Sequence, residues 1–211
     1  MTDKECFRRV LLVVAAIVPL ITTGFWHNPV FAQEQKEAWS TESLMRMLSQ
    51  VKEADLTFTE ERSSAFLVGD IVLKGSLKYI APDFIEKRVE SPYKHRTKIS
   101  GDTLLVEKIS ARGESSIQQY SLSSSEALST IVEGFRATLA GDLMALLEHY
   151  NIVLEGDVLE WLVTLTPKKP KLLDHVEKIA LTGAEREIRT IETTNADGDV
   201  ARLSLFYQMI K

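Results

Sequence analysis

Cysteine is almost absent from this sequence, whose 211 residues include only Cys6. Because the rest of the chain has no thiol, neither a disulfide nor a cysteine nucleophile is expected in a folded domain. Long apolar runs are also missing, since residues 10–23 fall short of the roughly 20 residues that a membrane-spanning helix needs. The 25 Lys and Arg residues are outnumbered by 30 Asp and Glu, giving a net charge of −5. This balance argues against binding to nucleic acid, which requires a basic face.

Catalytic and metal-binding motifs are missing too. The sequence contains no nucleophile elbow, no zinc-protease helix, no P-loop and no dinucleotide fingerprint. The histidines at 95, 149 and 175 lack a second ligand at metal spacing, so neither a metal nor a cofactor is expected. Glu60 and Glu61 are neighbours in a predicted strand, so they point to opposite faces and are expected to be surface charges. We therefore predict a protein that is not an enzyme, with His95 as a cavity-wall residue.

Residues 1–32 have the features of a secretory signal peptide. Three basic residues precede the apolar run, and the segment Val30-Phe31-Ala32 offers small side chains where a signal peptidase cleaves. We expect cleavage after Ala32, which leaves residues 33–211 as a single domain. An uncleaved membrane anchor is the alternative.

The stretch from residue 56 to 105 predicts an antiparallel meander of four strands. Residues 71–79 alternate apolar and polar side chains, which is typical of a strand buried on one face. Pro82, Pro92 and the turn at residues 100–102 separate the strands, because proline and glycine end regular extended structure.

The periodicity changes in residues 123–150, where two apolar stripes at helical spacing predict a pair of helices. Ser123 and Glu126 fit a capping box at the start, and Gly141-Asp142 separates the two helices. Strands then resume to the end of the chain, while residues 167–171 are predicted to be a loop. The predicted fold is α+β and mostly β: a curved antiparallel half-barrel of about ten strands lidded by a few short helices.

A curved sheet with few helices leaves a cavity between the two layers, and the apolar phases predict what lines it. The predicted cavity wall consists of Phe58, Leu73, Leu77, Tyr79, Leu105, Trp161, Val163, Leu165, Leu203 and Leu205. The predicted helical lid contributes Leu128, Ile131, Phe135, Leu139, Leu143 and Leu147.

Five short motifs in this order carry a family resemblance. They are Phe58-Thr59-Glu60, the strand Gly75-Ser76-Leu77-Lys78-Tyr79 with Pro82 after it, Pro92, Gly101-Asp102-Thr103-Leu104, and Leu165-Thr166-Pro167-Lys168. Their order and spacing resemble the periplasmic carrier of outer-membrane lipoproteins and its relatives, the LolA-like proteins. The resemblance implies a half-open antiparallel barrel, lidded by helices, whose interior takes acyl chains.

The resemblance also implies a function. We expect a periplasmic, monomeric carrier of an acylated lipid or lipoprotein, with an inner-membrane donor protein and an outer-membrane acceptor protein as partners. A lipid-sensing interaction module and a lipid hydrolase, the latter resting on His95, are the alternatives. The family's carrier has an arginine immediately before the first proline, where it hydrogen-bonds the lid, and this chain has Ala81 there. Ala81 therefore predicts a lid held by apolar contacts alone, unless Lys78 or Arg62 replaces the missing arginine.

Overall fold

The computed structural model describes residues 38–64, 69–110 and 112–207, which form one curved antiparallel sheet with helices on one face. The sheet has eleven strands and is not closed into a barrel. The predicted half-barrel with a helical lid is thereby confirmed. The predicted signal peptide lies outside the described residues.

Eleven strands and four short helices make up the described chain, together with a 3₁₀ turn at Leu122–Ser124. The strands are β1 (Glu53–Ser63), β2 (Ile71–Ile80), β3 (Phe84–Ser91), β4 (Lys94–Ser100), β5 (Thr103–Ile109), β6 (Ser115–Ser121), β7 (Tyr150–Gly156), β8 (Trp161–Pro167), β9 (Val176–Ala184), β10 (Glu187–Asn195) and β11 (Val200–Tyr207). The helices are α1 (Thr41–Leu48), α2 (Glu126–Ala140), α3 (Leu143–His149) and α4 (Pro170–Leu173).

The sheet is built from two meanders that meet at its centre. The strand order is β6-β5-β4-β3-β2-β1-β11-β10-β9-β8-β7, so every pairing but one joins strands that are neighbours in sequence. The exception is the central pair β1–β11, in which Leu56 lies opposite Tyr207. We call this pairing the central seam.

One face of the sheet is apolar, as the alternation of side chains along β1 and β2 predicts. Leu56, Phe58, Leu73, Leu77 and Tyr79 are all buried, whereas residues between them are more exposed. Because residues directly opposite each other in paired strands share a face, the register extends this face across the sheet. We call it the inner face and the other the outer face.

The lid consists of α2 and α3, and a glycine joins them. Gly141 has a φ of 68°, a left-handed conformation that ends α2 and that glycine adopts without strain. A Cβ added to Gly141 would lie 2.0 Å from the Met45 carbonyl oxygen, so only glycine fits between the lid and α1. Asp142 then begins α3, its carboxylate accepting a hydrogen bond from the Ala145 N–H at 3.0 Å. The predicted break between the two helices is confirmed.

Two local predictions were wrong. The N-cap of α2 is Ser125, whose hydroxyl accepts from the Leu128 N–H, because Leu122–Ser124 forms a separate 3₁₀ turn. The predicted loop at residues 167–171 also contains the start of α4, whose first residue, Pro170, has the fixed φ that suits a helix N-terminus.

The core lies between the inner face and the helices. It includes Leu44 and Leu48 of α1, Leu146 of α3, and Trp161 of β8, each at most 3% exposed. No described helix is long and apolar enough to cross a membrane.

Candidate functional site

A cavity of about 260 Å³ lies between the inner face and the helices. It sits at the end of the half-barrel where β1 begins and β11 ends, so the central seam forms its floor. Its walls are almost entirely apolar. They are formed by Leu48, Val51, Ala54, Leu56, Leu77, Tyr79, Ile85, Lys87, Thr97, Ile99, Phe135, Leu139, Arg186, Ile188, Ile191, Leu203, Leu205 and Tyr207.

Six of the sixteen residues predicted for the wall and lid line this cavity. Four come from β2 and β11, and two come from α2. They are Leu77, Tyr79, Leu203, Leu205, Phe135 and Leu139.

The other predicted wall residues lie elsewhere. Phe58, Leu73, Trp161, Val163 and Leu165 are on the inner face but at most 2% exposed, packed in the core. At these positions core side chains fill the space against the inner face.

Leu105 is on the outer face. It lies opposite Lys98 of β4, and Lys98 lies opposite Glu86 of β3. Glu86 lies opposite Lys78, which faces outward because its neighbour Leu77 faces inward. Its sequence neighbours Leu104 and Val106 face inward instead.

The remaining predicted lid residues do not line the cavity. Ile131 and Leu143 are partly buried against the core, Leu128 borders a surface groove near the start of α2, and Leu147 is 40% exposed. The apolar stripes of α2 and α3 therefore serve mostly to attach the helices to the sheet.

Several cavity residues were missed by the sequence reasoning. Ile85, Lys87, Thr97 and Ile99 extend the wall onto β3 and β4. The alternation of β4 does place Thr97 and Ile99 on its inward phase, so the signal was present. The sequence offered no signal for Lys87, because a lysine in a strand is usually exposed to solvent.

Two tyrosines on the cavity wall differ in their hydrogen bonding. The Tyr207 hydroxyl accepts from the Ile188 N–H at 3.0 Å. The Tyr79 side chain is 2% exposed, and its hydroxyl has no hydrogen-bond partner among the described residues. Burial raises the pKa of Tyr79, so the hydroxyl stays protonated and is a donor held inside an apolar cavity.

A buried ion pair adjoins the cavity, and it corrects the assignment of Glu60 to the surface. Glu60 is 4% exposed on the inner face, where its carboxylate pairs with Lys87 and accepts from Arg62 Nε at 2.9 Å. Burial alone would raise the pKa of the Glu60 carboxyl, but Lys87 and Arg62 outweigh it and hold that pKa below its ordinary value. The Lys87 ammonium also lies 4.9 Å from the centre of the Phe58 ring.

His95 does not line the cavity, so its prediction as a cavity-wall residue was wrong. It lies on the inner face, two residues before Thr97, and its Nε2 is 3.0 Å from the Thr97 hydroxyl. Burial and then Lys108, Lys87 and Arg62 lower the pKa of His95, so the ring is neutral at pH 7. Within the described ranges, no group of three or more His, Cys, Asp or Glu is placed to hold a metal ion.

An arginine of the lid holds α2 to the rim of the sheet. Arg136 Nη2 donates to the Asp83 carbonyl at 3.2 Å and to the Gly101 carbonyl at 2.6 Å. The Asp83 carboxylate in turn accepts from the Gly101 N–H at 3.0 Å, so one guanidinium ties the β2–β3 and β4–β5 turns together. We call these three hydrogen bonds the rim contact.

The prediction that the lid is held by apolar contacts alone was therefore wrong. Neither proposed substitute takes part in the rim contact: Lys78 pairs with Glu53 at 3.0 Å, and Arg62 pairs with Glu60. The donor comes from the helix, and backbone carbonyls of the sheet accept.

The chain has recognisable relatives. Residues 34–206 match the model of a family described as outer membrane lipoprotein carrier protein, LolA-like. No protein of curated function matches.

Three solved structures are similar to this chain at low identity. A LolA superfamily protein from Nitrosomonas europaea is 10% identical with a TM-score of 0.41, covering 82% of this chain and 96% of that chain. A putative outer membrane lipoprotein-sorting protein domain from Vibrio parahaemolyticus is 11% identical with a TM-score of 0.32, covering 81% and 94%. The MucA/MucB complex of Pseudomonas aeruginosa contains a chain that is 10% identical with a TM-score of 0.41, covering 78% and 55%.

Proposed function

Because the chain belongs to the LolA-like family of outer membrane lipoprotein carriers, we propose that it carries an acylated lipid or lipoprotein through the periplasm without catalysing a reaction. The observation that carries the proposal is the apolar cavity between the inner face and the helices. We place its partners at the two membranes, a donor protein at the inner one and an acceptor protein at the outer one.

The chemistry of the cavity suits an acyl chain. Each methylene removed from water contributes about 0.8 kcal/mol, so a lipid tail cannot cross an aqueous compartment without a shield. The wall offers aliphatic side chains such as Leu77, Ile99 and Leu203, which make apolar contact without selecting one chain length. The buried Tyr79 hydroxyl supplies a donor for an oxygen of the cargo, such as an ester carbonyl.

The size of the cavity limits the cargo that fits while the lid is closed. At about 260 Å³ it is slightly smaller than the roughly 300–1,000 Å³ of common ligand sites. A cargo with more than one chain therefore requires α2 and α3 to move away from the sheet. Such a movement would break the rim contact, because Arg136 is bonded to the sheet and is the neighbour of Phe135 in the cavity wall.

The test is a titration of the purified domain with a fluorescent fatty-acyl probe, followed by native mass spectrometry of the protein purified without detergent. We expect saturable binding of one probe and co-purified lipid. An absence of both would refute the carrier. A stable complex with a protein in place of lipid would support a sensing module, and hydrolysed lipid products would support an enzyme.

A further inference from the structure

The inner face has two halves of different character. The cavity occupies the half beneath the helices, and Lys87 and Thr97 are among its few polar wall residues. Toward the opposite end of the strands, the inner face carries Arg62 of β1, His95 of β4 and Lys108 of β5. We call Arg62, Lys87, His95 and Lys108 the basic surface.

The register places these side chains together. Arg62 follows Glu60 by two residues on β1, so both face inward. His95 of β4 lies opposite Val89, which is two residues after Lys87 on β3. Lys108 of β5 lies directly opposite His95. Four strands thus contribute to one continuous surface that begins at the cavity wall.

The basic surface has more positive than negative charge. Arg62, Lys87 and Lys108 face one inward carboxylate among the described residues of β1, β3, β4 and β5, that of Glu60, which pairs with Arg62 and Lys87. The carboxylates nearest in sequence are turned away, since Glu86 and Glu107 both pair with Arg96 on the outer face.

Accessibility separates this surface from the core. The Arg62 side chain is 48% exposed, the Lys87 side chain is 24% exposed, and Lys108 is exposed. A ligand can therefore reach these cations without unfolding the sheet. Burial lowers the pKa of His95, and the charges of Lys108, Lys87 and Arg62 lower it further. A positive electrostatic potential at the ring disfavours its protonated form.

We propose that the basic surface binds the anionic headgroup of a lipid whose acyl chain occupies the cavity. Lysine and arginine side chains bind phosphate and carboxylate groups through charge-assisted hydrogen bonds. This inference rests on the proposed carrier function and narrows its cargo to lipids with a negative headgroup. Lys87 joins the two parts of the site, because it belongs both to the cavity wall and to the basic surface.

The experiment compares decyl phosphate with decanol as competitors for a bound fluorescent acyl probe. Both have the same chain, so their difference reports the headgroup. We expect decyl phosphate to compete at least about tenfold better, the factor that one hydrogen bond to a charged group produces. Equal competition by the two compounds would overturn the inference while leaving the carrier function intact, whereas competition by neither would count against both.

Substitution of one cation identifies the place of binding. Lys108→Glu should reduce the advantage of decyl phosphate by about three- to tenfold and leave decanol unchanged, since exposed charges contribute modestly. Lys94→Glu is the matched control, because Lys94 is on the neighbouring strand but faces outward. An equal effect of both variants would refute the basic surface as the headgroup site.

Inorganic phosphate separates a lipid headgroup from a free anion. At the concentration at which decyl phosphate competes, inorganic phosphate should neither displace the probe nor protect the protein against thermal unfolding. Protection by inorganic phosphate equal to that by decyl phosphate would show a site for the free anion and overturn the lipid assignment.

Discussion

At the scale of single residues, the unpartnered hydroxyl of Tyr79 distinguishes a binding cavity from a packing defect. A buried polar group without a hydrogen bond costs about 1–3 kcal/mol, and such groups are rare in folded proteins. A ligand oxygen would satisfy this donor.

We predict that Tyr79→Phe leaves the free energy of unfolding unchanged or raises it by about 1 kcal/mol, because the unsatisfied hydroxyl is removed. The same variant should bind methyl dodecanoate several-fold more weakly and dodecane equally well, as measured by displacement of an acyl probe. Tyr207→Phe is the control: it removes the hydroxyl that accepts from the Ile188 N–H and should cost about 1 kcal/mol in denaturant unfolding. If Tyr79→Phe is the more destabilising variant, the hydroxyl has a partner inside the protein.

Leu77 and Lys78 form a pair of neighbours on opposite faces of β2. Leu77→Glu places a charge in the apolar cavity, so we predict loss of acyl-probe binding and a loss of several kcal/mol in stability. Lys78→Glu changes the outer face and should bind the probe like the wild type. Probe titration and chemical denaturation of both variants check the prediction, which fails if Leu77→Glu binds normally.

Glu60 should make stability depend on pH in the acid range. Its pKa is below the ordinary value of 4.5 in the folded protein, so its contribution is complete above pH 4.5 and is lost as pH falls through the lower, folded-state pKa. We predict that Glu60→Gln is less stable than wild type by about 2 kcal/mol at pH 7, because Lys87 loses its partner. The difference should shrink as pH falls below 4.5 and through the lower, folded-state pKa of Glu60. A difference that stays constant from pH 7 to pH 3 in denaturant titrations would contradict this role.

At the scale of secondary-structure elements, the rim contact determines how tightly α2 is held over the cavity. Arg136 joins the helix to two turns through carbonyl acceptors, and hydrogen bonds of a charged donor contribute about 1.5–3 kcal/mol. We predict that Arg136→Ala speeds hydrogen exchange over residues 126–149 and accelerates probe release by about tenfold. Arg136→Lys should give exchange and release rates between those of Arg136→Ala and the wild type, because lysine keeps the charge but lacks the planar guanidinium.

Two further variants test whether this effect belongs to the rim. Arg202→Ala removes an exposed arginine that pairs with Glu192 on the outer face, and release should be unchanged. Ala81→Arg should not slow release, because the nearby turn carbonyls are already bound by Arg136. Unchanged exchange in Arg136→Ala would show that the rim contact does not hold the lid.

Sequence periodicity placed most of the elements but not the contacts between them. The break at Gly141-Asp142 follows from local chemistry, so it could be predicted from residue type. The rim contact could not, because Arg136 reaches carbonyls that lie 53 and 35 residues away and carry no side-chain signature. The start of α2 was misplaced for a related reason: Asp102 accepts from the Ser123 N–H at 2.8 Å and stabilises a separate turn.

At the scale of the whole molecule, most of the inner face was predictable, with Leu105 and Glu60 as exceptions, and the position of the cavity was not. Alternation shows which side of a strand is apolar, and it placed Leu77 and Trp161 on the same face. One of them lines a cavity and the other is 1% exposed in a filled core. The difference depends on where the helices rest on the curved sheet, which is a property of three-dimensional packing.

The exported form of the chain is expected to begin at Gln33. This expectation rests on the basic N-terminal residues, the short apolar run and the small residues before Gln33. Intact-mass measurement of protein recovered from the periplasm should show loss of residues 1–32. Recovery of the intact chain, with Met1 present, from a membrane fraction would support the uncleaved anchor instead.

The central seam also constrains when the cavity can form. Within each meander, strands pair with sequence neighbours, and such local contacts form quickly, whereas β1 and β11 come from opposite ends of the described chain. The cavity takes Leu77 and Tyr79 from one meander and Leu203 and Leu205 from the other. Neither meander alone contains the cavity, so during synthesis from the N-terminus the cavity cannot be complete before β11 has paired with β1.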